Sequence, residues 1–149
     1  MILIDYSQVA LATILTFQRE LKGDESEVKN LIRHVTLSTI KSYKKKYGKE
    51  YGELVVCCDG RKYWRREIFE HYKANRKKNQ EKSEMDWKAI FECLGKIRQE
   101  LKDYFPYRVV DIESVEADDI IATLVDKYGQ FGEEDILILS GDKDFIQLH

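Results

Sequence analysis

Histidine and cysteine are scarce in this chain. His34, His71 and His149 lie in separate segments with no HxxxH or HExxH spacing, which leaves little support for a histidine metal site or a histidine-based catalytic dyad. Cys57 and Cys58 are adjacent and Cys93 is distant. That set fits neither an even disulfide framework nor a CxxC zinc spacing, so reduced and mostly buried thiols are expected. Long apolar runs are missing too, and a membrane span needs about 20 residues. The stretch "VALATILTF" imitates a signal peptide, but Asp5 precedes it and there is no basic n-region. The chain is expected to stay in the cytoplasm, with no membrane partner.

What is present is the material of one globular domain. A length of 149 residues suits one compact unit with a real core. Hydrophobic residues at 43% and aromatics at 11% argue against disorder, while 35% charged residues imply a water-facing surface. The net charge of −2 conceals a segregation along the chain. Residues 61–82 carry nine bases (Arg61, Lys62, Arg65, Arg66, Lys73, Arg76, Lys77, Lys78, Lys82) against three acids. Residues 111–149 carry eleven acids against Lys127 and Lys143. This pattern points to a basic surface for a polyanion and an acidic site for metal.

Four short apolar runs read as strands: "ILI" at 2–4, "LVVCC" at 54–58, "YRVV" at 107–110 and "ILIL" at 136–139. Each is continuously apolar, as in a parallel strand buried on both faces. Helical periodicity fills the segments between. Ser26 can cap a helix that buries Val28, Leu31, Ile32, Val35 and Ile40 and stops near Gly48. Ser83 with Asp86 forms a capping-box pattern ahead of Trp87, Ile90, Phe91, Leu94, Ile97 and Leu101, with Pro106 soon after. A third helix follows Ser114, buries Ile120, Ile121, Leu124, Val125 and Tyr128, and stops at Gly129. Strands alternating with helices predict an α/β fold with a largely parallel sheet between helical layers.

In such sheets ligands sit beyond the carboxyl ends of the strands, and there the acids collect. Asp5 follows the first run, Asp59 the second, and Asp142 and Asp144 the fourth. Glu116 and Asp119, three apart, are expected on one face of the third helix's first turn, at the end of the third strand. Two charges about 4 Å apart repel by roughly 1 kcal/mol in water and about 4 kcal/mol at an effective dielectric near 20. Converging carboxylates therefore need protons or cations between them. All-oxygen ligands suit Mg²⁺ or Mn²⁺, and a pair of such ions roughly 4 Å apart is the common device for in-line attack at phosphorus.

The basic stretch "DGRKYWRREIFEHYKANRKKNQEK" interleaves its bases with Tyr63, Trp64, Phe69 and Tyr72, a mixture that can track a phosphate backbone and stack on unpaired bases. It is expected to order on binding nucleic acid. Each signal has an ordinary counterpart. An Asp after a strand is most often a cap or turn residue, acids in a helix's first turn suit the helix dipole, and a Lys/Arg run is usually a solvated face. Four acid positions at strand ends together with one basic arm are harder to produce by capping alone. Asp111, Glu113, Asp126, Glu133, Glu134 and Asp135 read as surface or turn acids.

"LIDYSQVAL", "CDG" followed by "YWRREIFEHYKANR", "VEADDIIATL" and "LSGDKDFIQLH" stand in an order and spacing that resembles the 5′ nuclease (flap endonuclease) family, and within it the RNase H branch of T-even-like bacteriophages. The resemblance covers essentially the whole chain. It implies a PIN-like α/β domain that uses two Mg²⁺ ions, with Mn²⁺ able to substitute, to hydrolyse phosphodiesters of RNA primers or 5′ flaps in DNA replication. By motif, Asp5, Asp59, Glu116, Asp118, Asp119, Asp142 and Asp144 correspond to the metal-site acids. Asp118 rests on the resemblance more than on spacing. Lys73 and Arg76 correspond to the basic pair at the base of the family's arch, which contacts the scissile phosphate. Arg65, Arg66, Tyr72, Lys77 and Lys78 are expected to bind nucleic acid, within an arch segment at 61–82. The implied partners are DNA and RNA·DNA hybrid with 5′ ends or flaps, and the single-stranded DNA-binding protein and sliding clamp of a replisome. For a phage-encoded chain the compartment is the infected bacterial cell. Family members continue further, with additional acids and a helix-hairpin-helix element, so this chain is expected to match the first half of such an enzyme.

Two other classes fit part of the pattern. A catalytically incomplete fragment would hold one metal and bind nucleic acid without cutting it, and a PIN-type endoribonuclease could be complete at this length. A phosphoacceptor receiver domain ranks last, because it needs its acid pair early and here the acids cluster late. If the acids form a metal site, adding Mg²⁺ should raise the melting temperature above that in EDTA at neutral pH. The difference should shrink as pH falls and the carboxylates protonate; equal melting temperatures at neutral pH would count against the site.

Overall fold

The structure is a computed structural model that describes residues 1–17, 24–60, 87–129 and 135–140. In chain order the elements are β1 (Ile2–Asp5), α1 (Tyr6–Thr16), α2 (Glu25–Tyr51), β2 (Leu54–Cys58), α3 (Trp87–Tyr104), β3 (Arg108–Asp111), α4 (Ala117–Gly129) and β4 (Leu137–Leu139). The strands form one sheet in the order β3-β2-β1-β4, and every pairing is parallel. β1 lies inside, with Ile2 opposite Leu54 on one side and Leu137 on the other.

Strand alternation explains why the apolar runs are continuous. Ile2, Ile4, Leu54, Val56 and Cys58 face one core with residues of α1, α2 and α3, whereas Leu3, Val55 and Cys57 face a second core with Ala117, Ile120 and Ile121 of α4. Both faces are covered, so neither face of these strands can be polar. On α3, Ile90, Leu94, Ile97 and Leu101 are buried as the periodicity predicts, and Phe91 packs against them from a partly buried position. On α4, Ile120 and Ile121 are buried while Leu124, Val125 and Tyr128 are half-buried against the second core.

The helix boundaries differ from the sequence reading in three places. Helix α1 has no counterpart in that reading: seven of its eleven residues are buried and its exposed side includes the apolar Ala12 and Leu15, so no polar face sets a period. Asp24, not Ser26, caps α2, its carboxylate accepting from the Glu27 amide at 2.8 Å. The same helix runs past Gly48 to Tyr51 and ends at Gly52, whose φ of 88° suits a residue without a Cβ. Lys44 Nζ reaches the Gly52 carbonyl at 2.7 Å and satisfies that end. The Ser83 and Asp86 capping pattern lies outside the described residues.

Cys57, Cys58 and Cys93 are free thiols and all are buried, as expected. Burial pushes the Cys57 thiol up to about 12, with the neighbouring Asp5 carboxylate adding to the effect. A thiol whose pKa is raised on folding contributes stability that is complete below its unfolded value near 9.0 and is lost as pH climbs towards about 12. Between about pH 9.5 and pH 11, Cys57→Ala should therefore remove roughly 1.4 kcal/mol per pH unit from the slope of unfolding free energy against pH. Urea titrations of both proteins check this, and parallel slopes would contradict it.

Candidate active site

The C-terminal edge of the sheet is where the two buried carboxylates of the described residues stand. Asp5 ends β1 opposite Cys57, is 3% exposed and caps α1 by accepting from the Gln8 amide at 3.4 Å. Its capping role and its place at a strand end coexist. Asp59 follows β2 and is 7% exposed. Its Oδ2 accepts from Ser7 Oγ at 2.6 Å and its Oδ1 from the Ala117 amide at 2.6 Å. Arg98 Nη1 donates to the Asp59 carbonyl at 3.1 Å. A buried carboxylate is tolerated only when its oxygens find such donors.

The next residue shapes the approach of α4. The Gly60 amide donates to the Val115 carbonyl at 2.9 Å, and a Cβ at Gly60 would lie 2.7 Å from both the Ile112 carbonyl oxygen and the Ser114 nitrogen. Segment 112–115 closes over this glycine through a turn in which Val115 N donates to Ile112 O at 3.1 Å and Ser114 takes a φ of 64°. The start of α4 is thereby delivered to the Asp59 carboxylate.

Glu116 stands one residue ahead of α4 instead of in its first turn, and its carbonyl accepts from the amides of Asp119 (3.1 Å) and Ile120 (3.2 Å). Asp118 and Asp119 occupy the first turn, and all three side chains are exposed. The edge thus gathers Asp5, Asp59 and the α4 acids. Among the described residues, however, no group of three or more His, Cys, Asp or Glu is arranged to hold a metal ion. Asp142 and Asp144 lie outside the described residues, as do Arg65, Arg66, Tyr72, Lys73, Arg76, Lys77 and Lys78.

The topology adds a reason for this location. From β1 the chain steps to β2 and β3 in one direction, then returns to place β4 on the other side of β1. The order of the strands thus reverses between β1 and β4, and the crevice at such a point is the habitual ligand site of parallel sheets. Asp5 ends β1 at that point, and in sequence Asp142 follows β4 by three residues.

The donors present fit a hard divalent cation. Asp5 and Asp59 offer carboxylate oxygens, while the Cys57 and Cys58 thiols beside them are pushed up by burial and stay protonated, so they offer no thiolate to a soft metal.

Three partners escaped the sequence reading. Ser7 and Arg98 carry no pattern that separates them from any helix residue, and the Ala117 amide is a backbone group. Asp111, read as a surface acid, is partly buried and pairs with Lys102 at 3.3 Å and Arg98 at 4.0 Å. It helps hold α3 beside Asp59.

Residues 1–149 match the model of the 5′-3′ exonuclease N-terminal resolvase-like domain from end to end. The chain belongs to the 5′-3′ exonuclease family. It is similar to the protein named Ribonuclease H of Enterobacteria phage T4, at 45% identity over 99% of this chain and 48% of that one. A protein named 5′-3′ exonuclease from Buchnera aphidicola subsp. Schizaphis graminum is 30% identical over 99% of this chain and 47% of its own. Among solved structures, the T5 D15 protein co-crystallised with metal ions superposes with a TM-score of 0.57 at 25% identity, over 99% of this chain and 50% of that one. The α/β reading is thereby supported by fold and family together. The chain spans about half the length of these 5′-3′ exonuclease relatives.

Because its Cβ would collide with backbone atoms and not with a side chain that can swing away, Gly60→Ala should lower the unfolding free energy by about 1–3 kcal/mol. A urea midpoint unchanged from the parent would show that segment 112–115 can move aside freely.

Proposed function

We propose that this chain carries the metal-dependent centre of a 5′-3′ nuclease that hydrolyses phosphodiesters of RNA primers or 5′ DNA flaps with two magnesium ions. The observation that carries this reading is the pair of buried carboxylates, Asp5 and Asp59, at the carboxyl ends of neighbouring parallel strands. Family membership supports it, as do the relatives: one is named a ribonuclease H, another a 5′-3′ exonuclease, and the T5 protein was crystallised with metal ions.

In this reading Asp5 and Asp59 supply the innermost ligand oxygens. Ser7 and the Ala117 amide hold the Asp59 carboxylate in a fixed orientation. Glu116, Asp118 and Asp119 add negative charge from α4, and Asp142 and Asp144 complete the set from beyond β4. Bound magnesium supplies Lewis acidity at the phosphate and lowers the pKa of a water. Lys73 and Arg76 draw the scissile phosphate towards the acids, while Arg65, Arg66, Tyr72, Lys77 and Lys78 hold the adjoining strand.

Cleavage of a 5′-labelled flap and of an RNA·DNA hybrid tests the proposal. The chain should cut in Mg²⁺ and not in EDTA, and Asp59→Asn or Asp142→Asn should each reduce the rate by about a hundredfold or more. The Asn at 59 keeps an oxygen for the Ala117 amide, so folding should survive. Cleavage at the parent rate by both variants would sink the assignment.

A further inference from the structure

A cationic surface lies on α2, away from the acid edge. The last three turns of α2 and the two residues after them read "KSYKKKYGKEYGE" from 41 to 53, with five lysines against Glu50 and Glu53 in a chain whose net charge is −2. Lys41, Lys45, Lys46 and Lys49 are exposed. Glu53 is engaged by Arg108 Nε at 2.7 Å, which leaves Glu50 as the acid within the lysine turns.

The helix dipole accounts for little of this. Its effect is confined to the last turn, which holds Lys49 as its basic residue. Lys41, Lys45 and Lys46 lie further back. Lys44 has a structural task at the Gly52 carbonyl. The others sit over rings or in the open: Lys41 Nζ is 6.0 Å from the centre of Phe105, and Lys46 Nζ is 5.2 Å from that of Tyr47. A ring holds an ammonium in place without cancelling its charge.

Lys41, Lys45 and Lys49 recur every four residues, so they share one helix face with steps of about 6 Å. Over the roughly 12 Å they span, a duplex presents about seven phosphate charges. The tyrosines of the same turns, Tyr43, Tyr47 and Tyr51, are partly buried against the core. They are therefore not offered as a row of platforms for unpaired bases, and the surface matches phosphates, which a duplex presents at about twice the linear density of one strand.

We propose that this lysine stripe on α2 binds the phosphate backbone of a nucleic-acid duplex. The inference rests on the nuclease reading above and adds to it a second contact, at the end of α2 that leads into the N-terminal edge of β2. The catalytic edge is left free for the end to be cut.

The test is a variant carrying Lys41→Gln, Lys45→Gln, Lys46→Gln and Lys49→Gln together, compared with the parent in EDTA by fluorescence anisotropy on a labelled duplex and on a single strand of equal length. Helix content by circular dichroism and the melting temperature should match the parent, since glutamine is a good helix former. At about 0.1 M salt the variant should bind duplex tenfold or more weakly, and the slope of log affinity against log salt should fall by about 2 to 4. Binding of the single strand should change by no more than about twofold, as expected if stacking and the bases of residues 61–82 hold it. Unchanged duplex affinity and slope, equal loss on both probes, or absence of duplex binding by the parent would each overturn the inference. The nuclease reading fails on a different result, undiminished cleavage by both Asp59→Asn and Asp142→Asn.

Discussion

One carboxylate joins the two halves of this domain. Asp59 takes a hydroxyl from Ser7 in the first turn of α1 and an amide from Ala117 at the start of α4, both at 2.6 Å. These helices pack on opposite faces of the sheet, α1 within the larger core and α4 within the smaller. A buried carboxylate without donors costs several kcal/mol, so both helices must be seated for the ion to be accommodated. The residue read as a metal ligand is thus also a fastening between layers. The joining of the two layers and the geometry of the site meet at one side chain.

Sheet order then decides what else can reach that place. With β1 flanked by β2 and β4, everything that follows β1, β2 and β4 in sequence starts from the same edge. The turn over Gly60 brings in α4 as well, because the backbone of 112–115 occupies the volume a Cβ would need. Arg98 ties α3 to the same point through the Asp59 carbonyl and Asp111. Contributions from β1, β2, α1, α3 and α4 therefore meet without any long loop among the described residues having to find its way there.

The legible parts of the fold are those where one physical demand sets the pattern. Strands covered on both faces must be apolar throughout, so "ILI" and "LVVCC" declared themselves. Half-covered helices must alternate, so α3 and α4 did too. Helix α1 turns Ala12 and Leu15 to water beside Thr16, so its exposed face is too apolar to mark a period in the sequence. Placement at the edge could be read for Asp5 and Asp59 because a strand end is a sequence feature. Hydrogen bonds between segments 52 or 58 residues apart, such as Ser7 to Asp59 and Ala117 to Asp59, leave no local trace. Glu116 and Asp119 were placed on one helical face, but the helix begins one residue later than the acid spacing implied.

The central strand has a further consequence for how the molecule moves. Ile2, Leu3 and Ile4 have no solvent exposure, and β1 is hydrogen-bonded on both sides. Amides in such a strand exchange with solvent only through opening of the whole cooperative unit, whereas surface helices open more readily. Asp5 is the last residue of that strand, so one wall of the site belongs to the part of the domain that fluctuates least. The exposed side chains of Asp118 and Asp119 stand on the water-facing side of α4, while the Ala117 amide holds the start of that helix to Asp59. The site pairs an anchored backbone with side chains that reach into water.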